Sequence, residues 1–291
     1  MINKYELHND KYDEGQTGPM QKKIAVVFDS AGTLLRMYRV AKETSTGNIL
    51  ENIESIMLVA ERPKRALVVM HAEPVAIEDT DPKTELRRFI ADNGLKIDIS
   101  CSSGPMSTEE AMEIINDQKV VVGDVIEVLA FAHRSCPESY YIATGLIVDG
   151  QLRFIPYVLS TAGKLYSNAP RTIELLHSRG IDTYIASGDT MRSLRRVAEK
   201  LCIPLPNVFD IATTDEKANI VLALKKKYDI VLMIGDGVND IRALEVADVG
   251  IVTTQQGDKR PQRLLEAADH LIRDIIEVID IVDSLNASDH R

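Results

Sequence analysis

The sequence has no tryptophan, few aromatic residues (5%) and only three cysteines. Cys101, Cys136 and Cys202 are odd in number and widely spaced, so they form neither a disulfide framework nor a metal-ligand motif. They read as ordinary reduced thiols. No block of Lys and Arg is long enough to make a basic patch, and the net charge is −10. Nucleic acid is therefore not an expected partner. No apolar run approaches the roughly 20 residues that a bilayer span requires. The polar amino terminus has no apolar leader core, and the expectation is a cytoplasmic protein without membrane insertion. Aliphatic residues, by contrast, are abundant. The 291 residues are 45% hydrophobic, ample for one or two packed domains.

The chain is organised around Lys22–Leu35, KKIAVVFDSAGTLL. Ile24–Phe28 is a short apolar run rich in β-branched residues and reads as a strand buried on both faces. Asp29 ends it, and Ser30-Ala31-Gly32-Thr33 follows. Open α/β sheets bind ligands just outside the carboxyl ends of their strands, and that is where Asp29 falls. Alone, this pattern equally describes an aspartate that starts a turn.

Three later stretches bear on that choice. DTYIASGD (Asp182–Asp189) is a second apolar strand, ending in a hydroxyl residue and a glycine. Asp215-Glu216-Lys217 opens a helical segment. DIVLMIGDGVND (Asp229–Asp240) is a third strand, followed by a glycine-rich turn with two carboxylates. In this order the motifs resemble the haloacid dehalogenase superfamily. The wording S-G-D followed by G-D-G-V-N-D is most similar to the soluble phosphorylation domain of P-type ATPases and their free-standing relatives. The resemblance covers roughly Lys22–Arg36 and Thr161–Asp269.

From Asn168 onward, strands and helices alternate regularly, the mark of a doubly wound parallel sheet. The expected fold is an α/β, Rossmann-like core in two pieces, residues 21–40 and 160–291, preceded by a polar tail over 1–20. Roughly 120 residues separate the first two motifs, too many for a loop in a compact domain. Residues 41–159 are expected to form an inserted α/β or α+β cap. After the first strand, Leu35–Thr44 reads as a short helix that runs into the cap; within the cap, Ile49–Glu61 reads as a helix, Arg65–His71 and Leu95–Cys101 as strands, and Asp149-Gly150 as a hairpin turn. Gly104-Pro105-Met106 and Thr46-Gly47-Asn48 are weak candidates for a phosphate cradle and read better as turns.

The resemblance assigns roles. Asp29 would be the nucleophile that forms an aspartyl phosphate. Thr33, Ser187 and Lys217, with the backbone at Gly32 and Gly188, would hold the phosphoryl group. A magnesium ion would be bound by Asp29, the main-chain carbonyl of Ala31, and Asp236. Asp240 would either bind it through water or anchor Lys217. The substrate would be a small phosphorylated molecule selected by the cap, and association of copies through the cap is left open. Lys164, Arg171 and Arg192 lie near the same edge but read better as solvated surface charges.

The chain departs from the family at Ala31, where most of its phosphatases carry a second, acid–base aspartate. Phosphonoacetaldehyde hydrolases also have alanine there and form a Schiff base with a cap lysine, for which Lys42 and Lys64 are conceivable equivalents. Three readings stay open: a phosphohydrolase, a carbon–phosphorus hydrolase, and a catalytically weak binding protein that responds to phosphorylation or a ligand.

Overall fold

The computed structural model describes residues 22–257 and 260–287. The expected tail over residues 1–20 lies outside them. Strand β1, Ile24–Phe28, is buried along its whole length. Ile24, Val26 and Phe28 enter one hydrophobic core, while Ala25 and Val27 enter another. Such two-sided burial explains why the run is continuously apolar rather than alternating.

From β1 the chain enters a second sheet. Its elements are β2 (Leu35–Glu43), β3 (Ile49–Glu51), α1 (Ser55–Ala60), β4 (Arg65–Met70), α2 (Pro74–Glu78), α3 (Leu86–Asp92), β5 (Ile97–Ser102), α4 (Thr108–Asp117), α5 (Val122–Ser135), β6 (Tyr141–Asp149) and β7 (Phe154–Leu165). The six strands pair antiparallel in the order β3-β2-β7-β6-β4-β5. Alternate residues of β2 face opposite ways. Val40 packs in the core formed with α3, α4 and α5, whereas Ala41 packs against Leu58 and Val59 of α1.

Leu35–Glu43 is a strand and not the helix that its composition predicts. Every residue of it pairs with β7, and three also pair with β3. Sheet pairing on both sides outweighs a helix preference that is small per residue. Ile49–Glu61 likewise divides into β3 and the short α1. The Asp149-Gly150 hairpin forms as expected, joining β6 to β7.

The chain then returns to the first sheet through α6 (Ala169–Ser178), β8 (Asp182–Ala186), α7 (Met191–Leu201), β9 (Val208–Phe209), α8 (Thr214–Leu224), β10 (Ile230–Gly235), α9 (Ile241–Val246), β11 (Val249–Thr253), α10 (Gln262–Glu266), β12 (His270–Ile272) and α11 (Val278–Ala287). All six strands are parallel, in the order β12-β11-β10-β1-β8-β9. Residues of α6, α7 and α11 pack on one face, and residues of α8, α9 and α10 on the other. The strand order reverses around β1, so the crevice of this doubly wound sheet opens at the carboxyl ends of β1, β8 and β10. The three motifs end there.

Candidate active site

Asp29 continues the β1–β10 ladder by one bond, its N–H donating to Ile234 O at 2.9 Å. The chain then folds back tightly, with Leu34 N and Leu35 N both donating to Ser30 O. Gly32 sits at φ +83°, and a Cβ there would come 2.1 Å from Asp236 Oδ2. Glycine is required by the backbone and by the approach of that carboxylate. Among the described residues, the hydroxyls of Ser30 and Thr33 are buried in this turn without a hydrogen-bond partner. Buried polar atoms are seldom left so, and two in one turn mark a place where another group is missing.

Lys217 comes from the first turn of α8, whose start is set by a reciprocal cap between Thr213 and Glu216. Its side chain is completely buried and its ammonium bridges Asp29 Oδ1 and Asp240 Oδ1, the latter at 2.7 Å. The other Asp240 oxygen accepts from the backbone N–H of Asp236 (3.2 Å) and Gly237 (3.0 Å). Both Asp240 oxygens are thus engaged in holding Lys217 and the turn after β10. A Cβ on Gly235 would meet Asp240 at 2.5 Å, which explains the first glycine of that turn. Asp236 accepts from Arg260 Nη2 at 3.0 Å.

Burial dominates the electrostatics. It raises Asp29 well above the ordinary carboxylate range; Lys217 opposes this, while Asp240 and Asp236 add to it. Asp236 is pushed up to about 6, again chiefly by burial, with Arg260 opposing. Burial also works against charge on Lys217, but Asp29 and Asp240 outweigh it and hold the ammonium above its usual value. Lys217 and Arg260 contact these three carboxyl groups, and Arg39 also favours the charged form of Asp236. Oxygen atoms of Asp29, Asp236 and Asp240 all lie within 4.8 Å of one another. A hard, all-oxygen cluster of this kind fits magnesium.

Ser187 ends β8, and its Oγ donates to Asp189 Oδ2 at 3.0 Å while accepting from Asp189 N. Burial raises the Asp189 carboxyl, and Tyr141 of β6 hydrogen-bonds to it from the second sheet. A Cβ on Gly188 would meet no protein atom closer than Ala212 O at 3.9 Å, so packing within the protein does not demand glycine there.

The structure thus gathers Asp29, Gly32, Thr33, Lys217, Asp236 and Asp240 at one place, with Ser187 and Gly188 ending the neighbouring strand. It also adds groups that sequence reasoning passed over. Arg260 lies seven residues beyond the end of β11, and no motif around it singles it out. Asp189 stood inside the quoted S-G-D. Gln256 binds both the N–H and the carbonyl of Met37, at 2.8 and 3.0 Å, and so pins the start of β2 to the first sheet. No pattern in the sequence announces that contact.

Lys42 is tied to Asp124 and Glu127 on the helix-covered side of β2. Lys64 pairs with Glu110. Neither lines the cavity beside Ala31. Arg171 pairs with Glu174, and Arg192 with Glu73.

The family model of haloacid dehalogenase-like hydrolases matches residues 25–248. The chain belongs to that family. It is 33% identical over 261 residues to a soluble P-type ATPase-like phosphatase of Methanocaldococcus jannaschii, covering 89% of this chain and 93% of that protein. A stretch of 94 residues is 35% identical to a probable copper-importing P-type ATPase A of Enterococcus hirae. That match spans 32% of this chain but only 13% of the pump. Among solved structures, a zinc-transporting PIB-type ATPase aligns with 92% of this chain and 41% of its own, at TM-score 0.45 and 16% identity.

This haloacid dehalogenase-like hydrolase has, among the described residues, no helix long and apolar enough to cross a membrane. The archaeal relative that it matches over nearly its whole length is a phosphatase, and this chain is a hydrolase of that kind.

Proposed function

We propose that the chain is a magnesium-dependent phosphohydrolase that works through an aspartyl phosphate on Asp29. The observation that carries this reading is the buried contact of Lys217 with Asp29 and Asp240 at the crevice of the parallel sheet. Burial favours the protonated form of Asp29, and the fixed ammonium of Lys217 opposes it; a cation bound beside Asp236 would oppose it further and leave the carboxylate charged for attack.

In the first step an Asp29 oxygen attacks phosphorus in line, the bond to the leaving oxygen breaks, and that oxygen takes a proton from solvent. Lys217 offsets charge on the transferred oxygens, the Thr33 hydroxyl donates to them, and the Ser187 hydroxyl does so by turning away from Asp189. In the second step water attacks the aspartyl phosphate, which returns free Asp29, inorganic phosphate and a proton. Asp29, Asp236 and the Ala31 carbonyl would hold magnesium, with Asp240 behind them. Bound there, the ion supplies neutralising charge at the phosphoryl oxygens. Asp240, with both oxygens engaged, serves as the anchor of Lys217. Ala31 offers no carboxyl group to protonate the leaving oxygen or to activate water. Good leaving groups, such as acyl phosphates, are therefore favoured, and breakdown of the intermediate is slow.

Lys42 and Lys64 are held by carboxylates away from Ala31, which counts against Schiff-base chemistry. The test is magnesium-dependent phosphate release from acetyl phosphate by the wild type and by Asp29→Asn. The substitution should lower the rate by more than about 10³-fold in a folded protein, as loss of a covalent nucleophile implies. Near-normal turnover in that variant would remove the mechanism.

A further inference from the structure

Between the two sheets lies a cavity of about 290 Å³, bounded by Ala31 and Asp189 on one side and by the face of the second sheet that α3, α4 and α5 do not cover. The face is built by strand alternation. Met37 and Arg39 of β2 share it with Thr161 of β7, Tyr141 and Ala143 of β6, and Val69 of β4, joined by the pairings Arg39↔Thr161, Thr161↔Ala143 and Gly145↔Val69. Small residues make the hollow. Ala143 and Gly145 stand at its centre, and a Cβ on Gly145 would come 2.6 Å from Val68 O, so the backbone itself closes the floor.

Arg39 is the one cation lining this cavity among the described residues. Its side chain is 22% exposed, and its only ion-pair partner there is Glu54, at 3.6 Å and itself 57% exposed. Among the described residues nothing hydrogen-bonds to its guanidinium, although five N–H donors are available. The other cation of β2, Lys42, is by contrast fully engaged by two carboxylates on the opposite face. An exposed pair such as Arg39–Glu54 is worth about 0–1 kcal/mol, little enough for a ligand to displace. The cavity is also at the small end of ligand sites, which run from about 300 to 1,000 Å³.

We propose that this cavity seats the departing part of the substrate, and that Arg39 recognises a second anionic group on it. The substrate class is then a compact phosphate compound that carries, a few atoms from the transferred phosphoryl group, a carboxylate or another phosphate. The inference rests on the reading of Asp29 as phosphoryl acceptor, because Ala31 fixes which end of the cavity meets phosphorus. Arg39 supplies the forked donor set that planar and tetrahedral anions accept. Thr161, the register partner of Arg39, lines the cavity with Tyr141, and the apolar floor of Met37, Val69 and Leu159 takes the short carbon skeleton.

The test uses calorimetry in magnesium buffer on the Asp29→Asn protein, so that ligands are bound and not consumed. The probes are ethyl phosphate, phosphoglycolate and pyrophosphate. At least one of the two probes that carry a second anionic group should bind about tenfold or more tightly than ethyl phosphate, as a charge-assisted contact implies. Which of them gains tells carboxylate from phosphate. Adding Arg39→Ala should abolish the preference, and Arg39→Lys should keep part of it. Equal binding of all three probes, or a preference that survives Arg39→Ala, overturns the proposal. Binding is read without turnover, so the two readings fail separately. A preference in Asp29→Asn alongside a wild type that forms no phosphoenzyme sinks only the phosphohydrolase mechanism, and phosphoenzyme formation by the wild type without a preference in Asp29→Asn sinks only this assignment.

Discussion

The two sheets of this protein carry function in opposite ways. In the parallel sheet, the interiors of β1, β8 and β10 are spent on packing, and the chemistry sits in the residues just past their ends and in the first turn of α8. In the antiparallel sheet, the residues that face the active site come from strand interiors, one in every two, spread over several strands. A strand buried on both faces has no free position along its length, whereas a sheet covered by helices on one side has a whole face to offer. Chemistry therefore concentrates in short contiguous motifs in the first sheet and is dispersed in the second. Substitutions in the two regions should differ accordingly.

The largest effect is expected at Lys217. Lys217→Met leaves Asp29 and Asp240 buried without their shared cation, which costs about 3–5 kcal/mol when one partner of a buried pair is lost. In a chain of this size the melting temperature should fall by about 10 °C, and phosphate release should drop with it. A variant as stable as the wild type, measured by calorimetry, would show that this cluster is not coupled as its geometry implies.

The next effect concerns the metal. At a hundredfold excess over its dissociation constant, magnesium should stabilise the folded protein by about 2.7 kcal/mol. Thermal melts with and without magnesium should lose that difference in Asp236→Ala. An equal shift in both proteins would move the metal elsewhere.

How much could be read from the sequence follows the same division. Asp29, Asp236 and Asp240 stand out because they lie in contiguous motifs just past strand ends, and Lys217 because it opens a helical segment between them; the structure brings the four together. β8 forms within the stretch Asp182–Asp189 expected to hold it, since a doubly wound unit leaves an apolar run little freedom. Leu35–Glu43 was misread as a helix because its fate depends on β7, more than a hundred residues away, and not on its own spacing. Arg39 and Tyr141 could not be singled out at all. Alternation marks a residue's face only once the strand and its covered side are known. Arg260 depended on a loop whose neighbours carry no motif.

Ala31 lies where the two regions meet, and it provides a smaller test. Ala31→Asp places a carboxyl group two residues beyond the nucleophile, at the edge of the cavity. Breakdown of the phosphoenzyme should rise about tenfold, below the 10²–10⁴-fold of an evolved acid–base group because the side chain lacks supporting contacts. Rapid-quench decay on both proteins measures it; equal rates would remove Ala31 as the limiting feature. The smallest effect is expected on the helix-covered side of the second sheet. Lys42→Met should cost no more than about 1 kcal/mol, the worth of a partly exposed ion pair, and should leave turnover unchanged. A collapse of activity in that variant would revive a cap lysine as a chemical participant.

The central claim is that Asp29 itself becomes phosphorylated. Acid quenching of the enzyme during magnesium-dependent turnover of acetyl phosphate, followed by peptide mapping, reads this directly. The account predicts acid-stable phosphate on the peptide that carries Asp29, accumulating because breakdown is slow, and none in Asp29→Asn. Phosphate release without any covalent phosphate on that peptide would contradict it.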